Sequence, residues 1–418
     1  MAGTRTHLEV AEAIDRVTTA IRALPTERIS RADANGRVLA RAVTSRVALP
    51  PWRNAAMDGY AVRAADIATA PVTLPVTETV AAGQFPSGPL APGSATRIMT
   101  GAPVPECADT VVRVEDTDSG IARVEVRGNR DALKNVRPLG EDVQAGAEAL
   151  PARLTIGPAQ LGVMAAVGCD TVEVFREPRV AILSSGDELV TPDRFAEVEA
   201  GRKIVSSNSV TLEALVRDAG GIPVPLGIAA DTPDSLREHL ARAAGCDLII
   251  TSGGISVGAF DHVRDVLESL GASLDFWRVR MRPGAPIGFG VLGGTPWLGL
   301  PGNPVSTMVT FELFARPAIR KMRGHGALHR ATIPVTLAED VRVGMELTHF
   351  LRVVVTRGDD GEYTARLTGP QSSGILRSMA LANALLVLPR GVLEAPAGTT
   401  LRAIPLGGEG PYATAPLR

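Results

Sequence analysis

Asp247-Leu-Ile-Ile-Thr-Ser-Gly-Gly-Ile-Ser-Val-Gly258 is the stretch on which the reading of this chain turns. Leu248, Ile249 and Ile250 form a short, β-branched apolar run, as expected of a parallel strand buried on both faces. Thr251 to Gly258 is polar and glycine-rich, and from Asp261 to Leu270 the spacing becomes helical. A strand that empties through glycines into a helix aims backbone N–H groups and the positive helix end at one spot, which suits an anion. The loop is neither a P-loop nor a dinucleotide-binding GxGxxG. It therefore reads as a seat for a phosphate or pterin-like ligand, with a plain strand–helix turn as the alternative.

Around this stretch the chain alternates. Val180–Leu183, Ile222–Leu226, Pro286–Val291 and Trp297–Leu300 read as strands, and Ser209–Ala219 and Thr307–Met322 as helices. Thr232-Pro233 opens another helix, with Thr at the N-cap and Pro in the first turn. Such alternation predicts a doubly wound sheet whose ligand crevice lies beyond the carboxyl ends of its strands. Before it, Val10, Ile14, Val17, Ile21 and Leu24 mark an amphipathic helix stopped by Pro25. From Val43 to Ala149 short apolar runs broken by Pro and Gly predict a β-rich region. Helical spacing returns from Thr155 to Val167, a piece expected to pack back on the first helix. After Leu328 only strand-like runs remain, a small barrel or sandwich. The expected class is α/β plus β and multidomain. Residues 1–44 with 143–177 form a discontinuous helical linker domain, 45–142 a β-rich domain, 178–328 the α/β domain and 329–418 a β-barrel-like domain.

The 418 residues carry 43 basic and 45 acidic side chains, a net charge of -2, with no long run of one sign. That argues against nucleic-acid binding and against a polybasic membrane protein. The opening MAGTRTHLEVAEAIDRV lacks the continuous apolar core of a signal peptide, and no run is long enough to span a bilayer. Cys107, Cys169 and Cys246 are scattered, so neither a disulfide framework nor a zinc cluster is expected, and a reducing cytoplasm fits. His325 and His329 stand four apart, but Gly324 and Gly326 argue against the rigid helix a metal pair needs.

Polar residues gather after the strands: Ser184-Ser-Gly-Asp-Glu188, Asp231, Thr251 to Asp261, and Pro301-Gly-Asn-Pro-Val-Ser306. All fall at one edge of the sheet. Asp187, Glu188, Asp231 and Asp261 would bring carboxylates to a pocket that also binds anions, which makes sense if a divalent cation bridges them to a ligand phosphate. Each taken singly reads as a helix cap; four at one edge favour ligation. Arg278, Arg280 and Arg282 alternate, so a regular strand would put all three on one face, either for a multivalent oxyanion or as a solvated surface. Asn54 to Ala61 and Arg97 to Pro105 read from their residues as turns.

Taken together, these motifs resemble the molybdopterin molybdenumtransferases, the family of MoeA and the gephyrin E domain. The resemblance runs through AMDGYA (56–61), RIMTGAPVP (97–105), Arg137 to Asp142, SSGDEL (184–189), Ser207-Asn208, TSGGISVG with Asp261, LPGNPVS (300–306) and QSSGILRSMALANALLVLP (371–389). It implies a MogA-like α/β domain and a homodimer with a composite active site between the α/β domain of one subunit and the β-rich domain of the other. The implied substrates are adenylylated molybdopterin and molybdate, with Mg²⁺. Metal enters the dithiolene, the phosphoanhydride is hydrolysed and AMP leaves. A molybdopterin adenylyltransferase is the implied donor of the substrate.

Carried over by position, Asp58, Thr100 and Asp142 act from the β-rich side, and Glu188 and Asp261 from the α/β side. Glu188, Asp231 and Asp261 are the implied metal ligands. Substrate contacts fall on Ser185, Gly186, Asp187, Ser207, Asn208 and Asp231, and on Ser252, Gly253, Gly254, Ser256 and Gly258. They continue through Arg278, Arg282, Pro301, Asn303, Pro304 and Ser306 to Ser372 and Ser373. The family commonly reads Lys-Pro-Gly-Lys-Pro where this chain has Arg282-Pro-Gly-Ala285-Pro286. Arg282 and Arg278 keep charge where lysines are usual, and Ala285 loses one. Two rival expectations are a gephyrin-like scaffold on the same fold and a molybdopterin adenylyltransferase. Retention of the acidic set speaks against the first. The AMDGYA region and C-terminal β-domain speak against the second.

Overall fold

The computed structural model describes residues 5–254 and 262–407. The chain divides into two compact units, Met1–Thr26 with Phe175–Arg418, and Glu27–Val174.

The first unit is built on a seven-stranded sheet. Its strands in chain order are β1 (Arg5–Leu8), β2 (Arg179–Ser185), β3 (Ile222–Ala229), β4 (Leu248–Ser252), β5 (Ser273–Val279), β6 (Gly288–Leu292) and β7 (Thr295–Leu300). The spatial order is β1-β5-β6-β7-β4-β2-β3. β3, β2, β4 and β7 run parallel side by side, and this part is wound with helices on both faces. Val180, Ile182, Leu248, Ile250 and Leu298 pack with the helices Val10–Ala20 and Ser207–Asp218 and the helical run 304–322. Ala181, Leu183, Ile249 and Trp297 pack with Pro233–Ala241 and His262–Ser269. Adjacent strand residues point to opposite faces and both faces are covered, so the strands read as unbroken apolar runs. Each fully buried Leu or Ile contributes about 1.5–3 kcal/mol, so the sheet's two covered faces are a large source of the unit's stability.

The sheet is not uniformly parallel. β6 is antiparallel to both β5 and β7. Only Gly293 and Gly294 join β6 to β7, with φ of 55° and 86°. Two residues cannot make the crossover a parallel pair needs, and two positive φ values suit a tight hairpin turn that glycine takes without strain.

Val10–Ala20 buries Ala13 and Val17 in this sheet's core. Pro158–Ala166 buries Met164 in the core of the other unit, with Leu39, Val43, Leu150 and Val172. Each of these two helices thus buries an apolar side within its own unit. The long helix expected to end at Met322 is interrupted: Pro304–Thr310 and Arg316–Met322 are joined through a π turn, Phe311–Ala315.

The C-terminal strands β8 (Ile333–Leu337), β9 (Thr348–Arg357), β10 (Tyr363–Leu367), β11 (Ala384–Leu388) and β12 (Thr400–Pro405) close into a barrel, because β9 pairs with both β10 and β11. Closure leaves no open edge. Val335, Leu351, Val353, Leu386 and Ala403 fill the interior.

In the second unit Gly59–Val62, Val72–Val80, Ala95–Ile98, Thr110–Arg113 and Arg123–Val126 form a five-stranded sheet with an apolar cluster on each face. Among the described residues no helix is long and apolar enough to cross a membrane.

His325 lies between Arg320, 3.3 Å from its Nδ1, and Arg323, 3.5 Å from its Nε2. Burial first, and then the two guanidiniums, lower its pKa from 6.5 to about 4. The ring is therefore neutral at pH 7. Between pH 6.5 and 4 the unfolded chain binds a proton that the folded chain refuses, so stability should fall as pH is lowered through that window. His325→Gln is expected to flatten this slope by on the order of 2 kcal/mol, allowing for the ring's partial exposure. Urea unfolding at pH 7 and pH 4.5 measures it, and an unchanged slope in the variant contradicts the assignment.

Candidate active site

Because β2, β3, β4 and β7 are parallel, the chain leaves all four at the same edge. The exits are Ser185-Gly186, Asp231, Ser252-Gly253-Gly254 and Pro301-Gly302-Asn303, and they converge on a cavity of about 670 Å³. Glu188, Ser207, Asn208 and Pro304 also line it. Two helices begin here, Ser207–Asp218 and Pro304–Thr310, and neither Ser206 nor Asn303 caps its helix through the side chain. In the longer helix the first-turn N–H groups thus remain available to an anion, supported by the helix dipole. In the shorter one Pro304 has no N–H and the Val305 N–H donates to the Ser373 carbonyl (3.2 Å). Gly253 and Gly254 have φ of 92° and 63°. A Cβ on Gly253 would lie 2.7 Å from the Ser185 carbonyl oxygen, and one on Gly254 would lie 2.5 Å from Val263 Cγ2. Only glycine allows the loop to lie this close.

Asn208 holds three of these parts in register. Its Nδ2 donates to Ser252 Oγ (2.8 Å) and to the Gly302 carbonyl (2.7 Å). The loops after β2 and β3 are tied reciprocally: Asp187 N–H donates to Asp231 Oδ2 (3.3 Å) and Asp231 N–H to Asp187 Oδ1 (3.2 Å). Asp187 does not line the cavity itself; it orients Asp231, which does. Glu188 turns its carboxylate back along the loop, so that a Cβ on Gly186 would meet Oε2 at 2.7 Å. Leu189, Ile204 and Val205 add an apolar wall that the sequence reading did not anticipate. These residues belong to the short parallel pair Leu189–Val190 and Ile204–Val205, and two-residue strands leave no periodic signal.

A second cavity of about 730 Å³ shares Pro286, Pro301 and Asn303 with the first and lies between the α/β sheet and the barrel. Arg282, Ser306, Ser372 and Ser373 line it, as does Ala285. Arg352, fully buried, organises its wall. It donates to the carbonyls of Pro370 (3.1 Å), Gln371 (3.0 Å) and Ser372 (3.0 Å) and to Ser378 Oγ (3.0 Å). Burial lowers its pKa from the usual arginine value. Sequence reasoning missed Arg352, which looks like any charged residue in an alternating strand.

The three arginines do not share a face. Arg278 takes a φ of 78°, a left-handed conformation that interrupts strand alternation and costs about 1–2 kcal/mol for a residue with a Cβ. Arg280 pairs with Glu9 at 3.3 Å, while Arg282 reaches Met345 Sδ at 3.0 Å on the second cavity. Arg278 lines neither cavity.

In the second unit Asp58 Oδ1 accepts from Thr100 N–H (2.6 Å) and Thr100 Oγ1 (2.7 Å). These two bonds, the backbone one first, hold the Asp58 carboxyl below its ordinary pKa. The turns around Asn54 and Arg97 are therefore joined through their polar residues. Asp142 is exposed and its N–H donates to the Leu49 carbonyl (2.9 Å).

Of the expected metal ligands, Glu188 and Asp231 share the first cavity. Asp261, with Ser256 and Gly258, lies outside the described residues. Among the described residues no three His, Cys, Asp or Glu side chains gather as a metal cluster.

The fold and its cavities define a multidomain α/β and β protein with a cavity at the strand-exit edge of its sheet. Three family models match it in order: "MoeA N-terminal region (domain I and II)" over residues 8–168, "Probable molybdopterin binding domain" over 181–321 and "MoeA C-terminal region (domain IV)" over 334–406. The chain is 41% identical over 383 residues to the molybdopterin molybdenumtransferase of Nostoc sp., covering 88% of this chain and 85% of that one. It is 40% identical over 379 residues to molybdopterin molybdenumtransferase 2 of Mycobacterium tuberculosis, covering 88% and 92%. The crystal structure of the molybdopterin biosynthesis moeA protein from Pyrococcus horikoshii OT3 superposes with a TM-score of 0.83 at 26% identity, over 96% of this chain and 100% of that one. The chain belongs to the molybdopterin molybdenumtransferase (MoeA) family.

Asn208→Ala removes two donors and leaves the Gly302 carbonyl without its side-chain partner. The expected cost is about 1–3 kcal/mol, read as a lower urea midpoint. Asn208→Asp should cost at least as much, since a carboxylate would face two oxygen acceptors. A midpoint unchanged in both variants would show that this contact does not hold the loops.

Proposed function

We propose that this protein is a molybdenum insertase of molybdenum cofactor biosynthesis, taking adenylylated molybdopterin and molybdate and releasing AMP. The observation that carries this reading is the single cavity at which four strand exits and two uncapped helix starts meet, with Glu188 and Asp231 in its lining. A phosphoanhydride needs donors for its oxygens and a positioned water for its hydrolysis. Open backbone N–H groups answer the first need, and the exposed Glu188 carboxylate can accept a proton from water. Asp231, oriented by Asp187, is a hard oxygen donor, and with Glu188 and Asp261 it would hold Mg²⁺. When bound, the ion neutralises charge on the phosphate oxygens.

Molybdate is a compact oxyanion, and the second cavity supplies Arg282, Ser306, Ser372 and Ser373 as donors. The shared wall of Pro286, Pro301 and Asn303 sets the two substrates side by side. Ala285 removes one cation usual in the family, leaving Arg282 as the charged residue of that turn. The dithiolene sulfurs would face this wall.

The working form is a homodimer, with Asp58, Thr100 and Asp142 of the partner subunit completing each site. Within each subunit the two Asp58–Thr100 bonds hold the carboxyl ionised and aligned before any ligand arrives. A cytoplasmic enzyme receiving its substrate from a molybdopterin adenylyltransferase fits this chemistry. The four-domain division is part of the same reading, with boundaries at residues 44/45, 142/143, 177/178 and 328/329. The relatives are named as transferases, so a scaffold role is not favoured.

Purified protein given adenylylated molybdopterin, Mg²⁺ and molybdate should release AMP and yield cofactor that activates an apo-molybdoenzyme. Absence of molybdate-dependent AMP release overturns the reading. Asp58→Asn and Glu188→Gln proteins should each lose about 100-fold or more in rate, the scale of general acid–base contributions. Mixed heterodimers should recover up to half of wild-type activity, because one composite site stays intact; verified heterodimers without recovery count against a shared site.

A further inference from the structure

The first cavity has an imbalance of charge. Among the described residues its lining carries two carboxylates, Glu188 and Asp231, and no lysine, arginine or histidine. A phosphate-bearing ligand entering it would meet like charge, and like charges a few ångströms apart in a partly enclosed site are unfavourable. Open backbone amides offset part of this, and among the described residues a lysine stands at the rim.

That cation is Lys203. It directly precedes Ile204 and Val205, both of which line the cavity. Its ammonium donates to the carbonyl of Asp187, the residue between Gly186 and Glu188, which also line the cavity. The side chain is thus anchored to the loop that carries the catalytic carboxylate. That is its one hydrogen bond among the described residues, and none of the ion pairs found there includes it. An ammonium has three N–H donors, so two remain for a ligand. Lys203 is half-buried, which lessens the screening of its charge without removing it from solvent. A flexible four-carbon stem lets the ammonium follow a phosphate group at little cost in geometry.

We propose that Lys203 is a substrate-binding residue of this site, its ammonium engaging the phosphate oxygens of the nucleotide half of the ligand from the cavity rim. The inference rests on the reading of this cavity as the seat of an adenylylated substrate. Sequence inspection gave no hint of it, because Lys203 lies in the excursion between β2 and the helix Ser207–Asp218, outside every motif.

AMP and adenosine serve as probes, differing only in the phosphate. Their binding is measured by calorimetry without divalent ions, at low and physiological salt, for wild type, Lys203→Met and Lys203→Arg. Lys203→Met should weaken AMP about tenfold at low salt and less at physiological salt, as screening predicts, while adenosine binds within about twofold of wild type. Lys203→Arg should keep most of the AMP affinity. Unchanged AMP binding in Lys203→Met overturns the proposal. An equal loss for AMP and adenosine also overturns it, since that is a change of shape rather than of charge. A wild-type protein that binds neither probe overturns it together with the nucleotide reading of the cavity.

Discussion

Four strands lie parallel and adjacent in the larger unit, and the chain must leave each of them at the same edge of the sheet. This constraint brings together residues from segments near positions 186, 231, 253 and 302 that have no other reason to meet. It also has a backbone consequence. Strand ends and a helix start bring main-chain N–H groups to the edge of one cavity. Those of Gly186, Asp187, Asp231 and Gly253 tie the exits together, and the first turn of Ser207–Asp218 has no side-chain cap. The site is therefore first a property of the main chain. The side chains refine it: glycines where Gly253 and Gly254 press against Ser185 and Val263, and two carboxylates, Glu188 and Asp231, in the lining.

Anchoring of the rim follows a common pattern. Loops that line the cavities are tied by side chains that point away from the ligand space or along its wall. Asp187 and Asp231 hold each other's backbone, Asn208 clasps Ser252 and Gly302, and Arg352 gathers three consecutive carbonyls of the loop bearing Ser372 and Ser373. Arg352 is the extreme case, a buried cation whose donors meet neutral oxygens. Its Nε, Nη1 and Nη2 all bond there, and leaving them unpaired in a buried site would be costly, so the arrangement fixes the loop to one geometry. The two cavities share a wall of Pro286, Pro301 and Asn303. Two of those three residues are prolines, whose restricted φ suits a partition that must not collapse into either space.

Much of this was legible in the chain. The apolar runs at 180–183 and 248–250 announced buried parallel strands because both faces of each strand are covered, a condition that shows directly as unbroken hydrophobicity. The polar exits after them followed from the same reading. Other features were not legible, for identifiable reasons. Arg278, Arg280 and Arg282 read as a shared face under strand alternation, but a left-handed Arg278 broke the period, and a conformation imposed by neighbours leaves no mark in residue type. The antiparallel β6 was hidden because its signal lies only in the two-residue Gly293-Gly294 link. The turns at Asn54 and Arg97 gave no sign that Asp58 and Thr100 bond to each other, since 42 residues separate them.

The amino-acid sequence by itself determined the layered class of each region, the strand exits that carry function, and, through ordered motifs spread over nearly the whole chain, the family. These depend on local pattern and on residue identity, both of which are written along the chain. The tertiary structure alone decided which exits share a cavity, that a second cavity adjoins it, and what Asn208, Arg352 and Lys203 bond to. Those are matters of distance between segments tens to hundreds of residues apart. The glycine-rich stretch after Ile250 illustrates the division: its chemistry could be read from its residues, but its partners at Ser185, Asn208 and Leu300 appear only once the parallel sheet has folded.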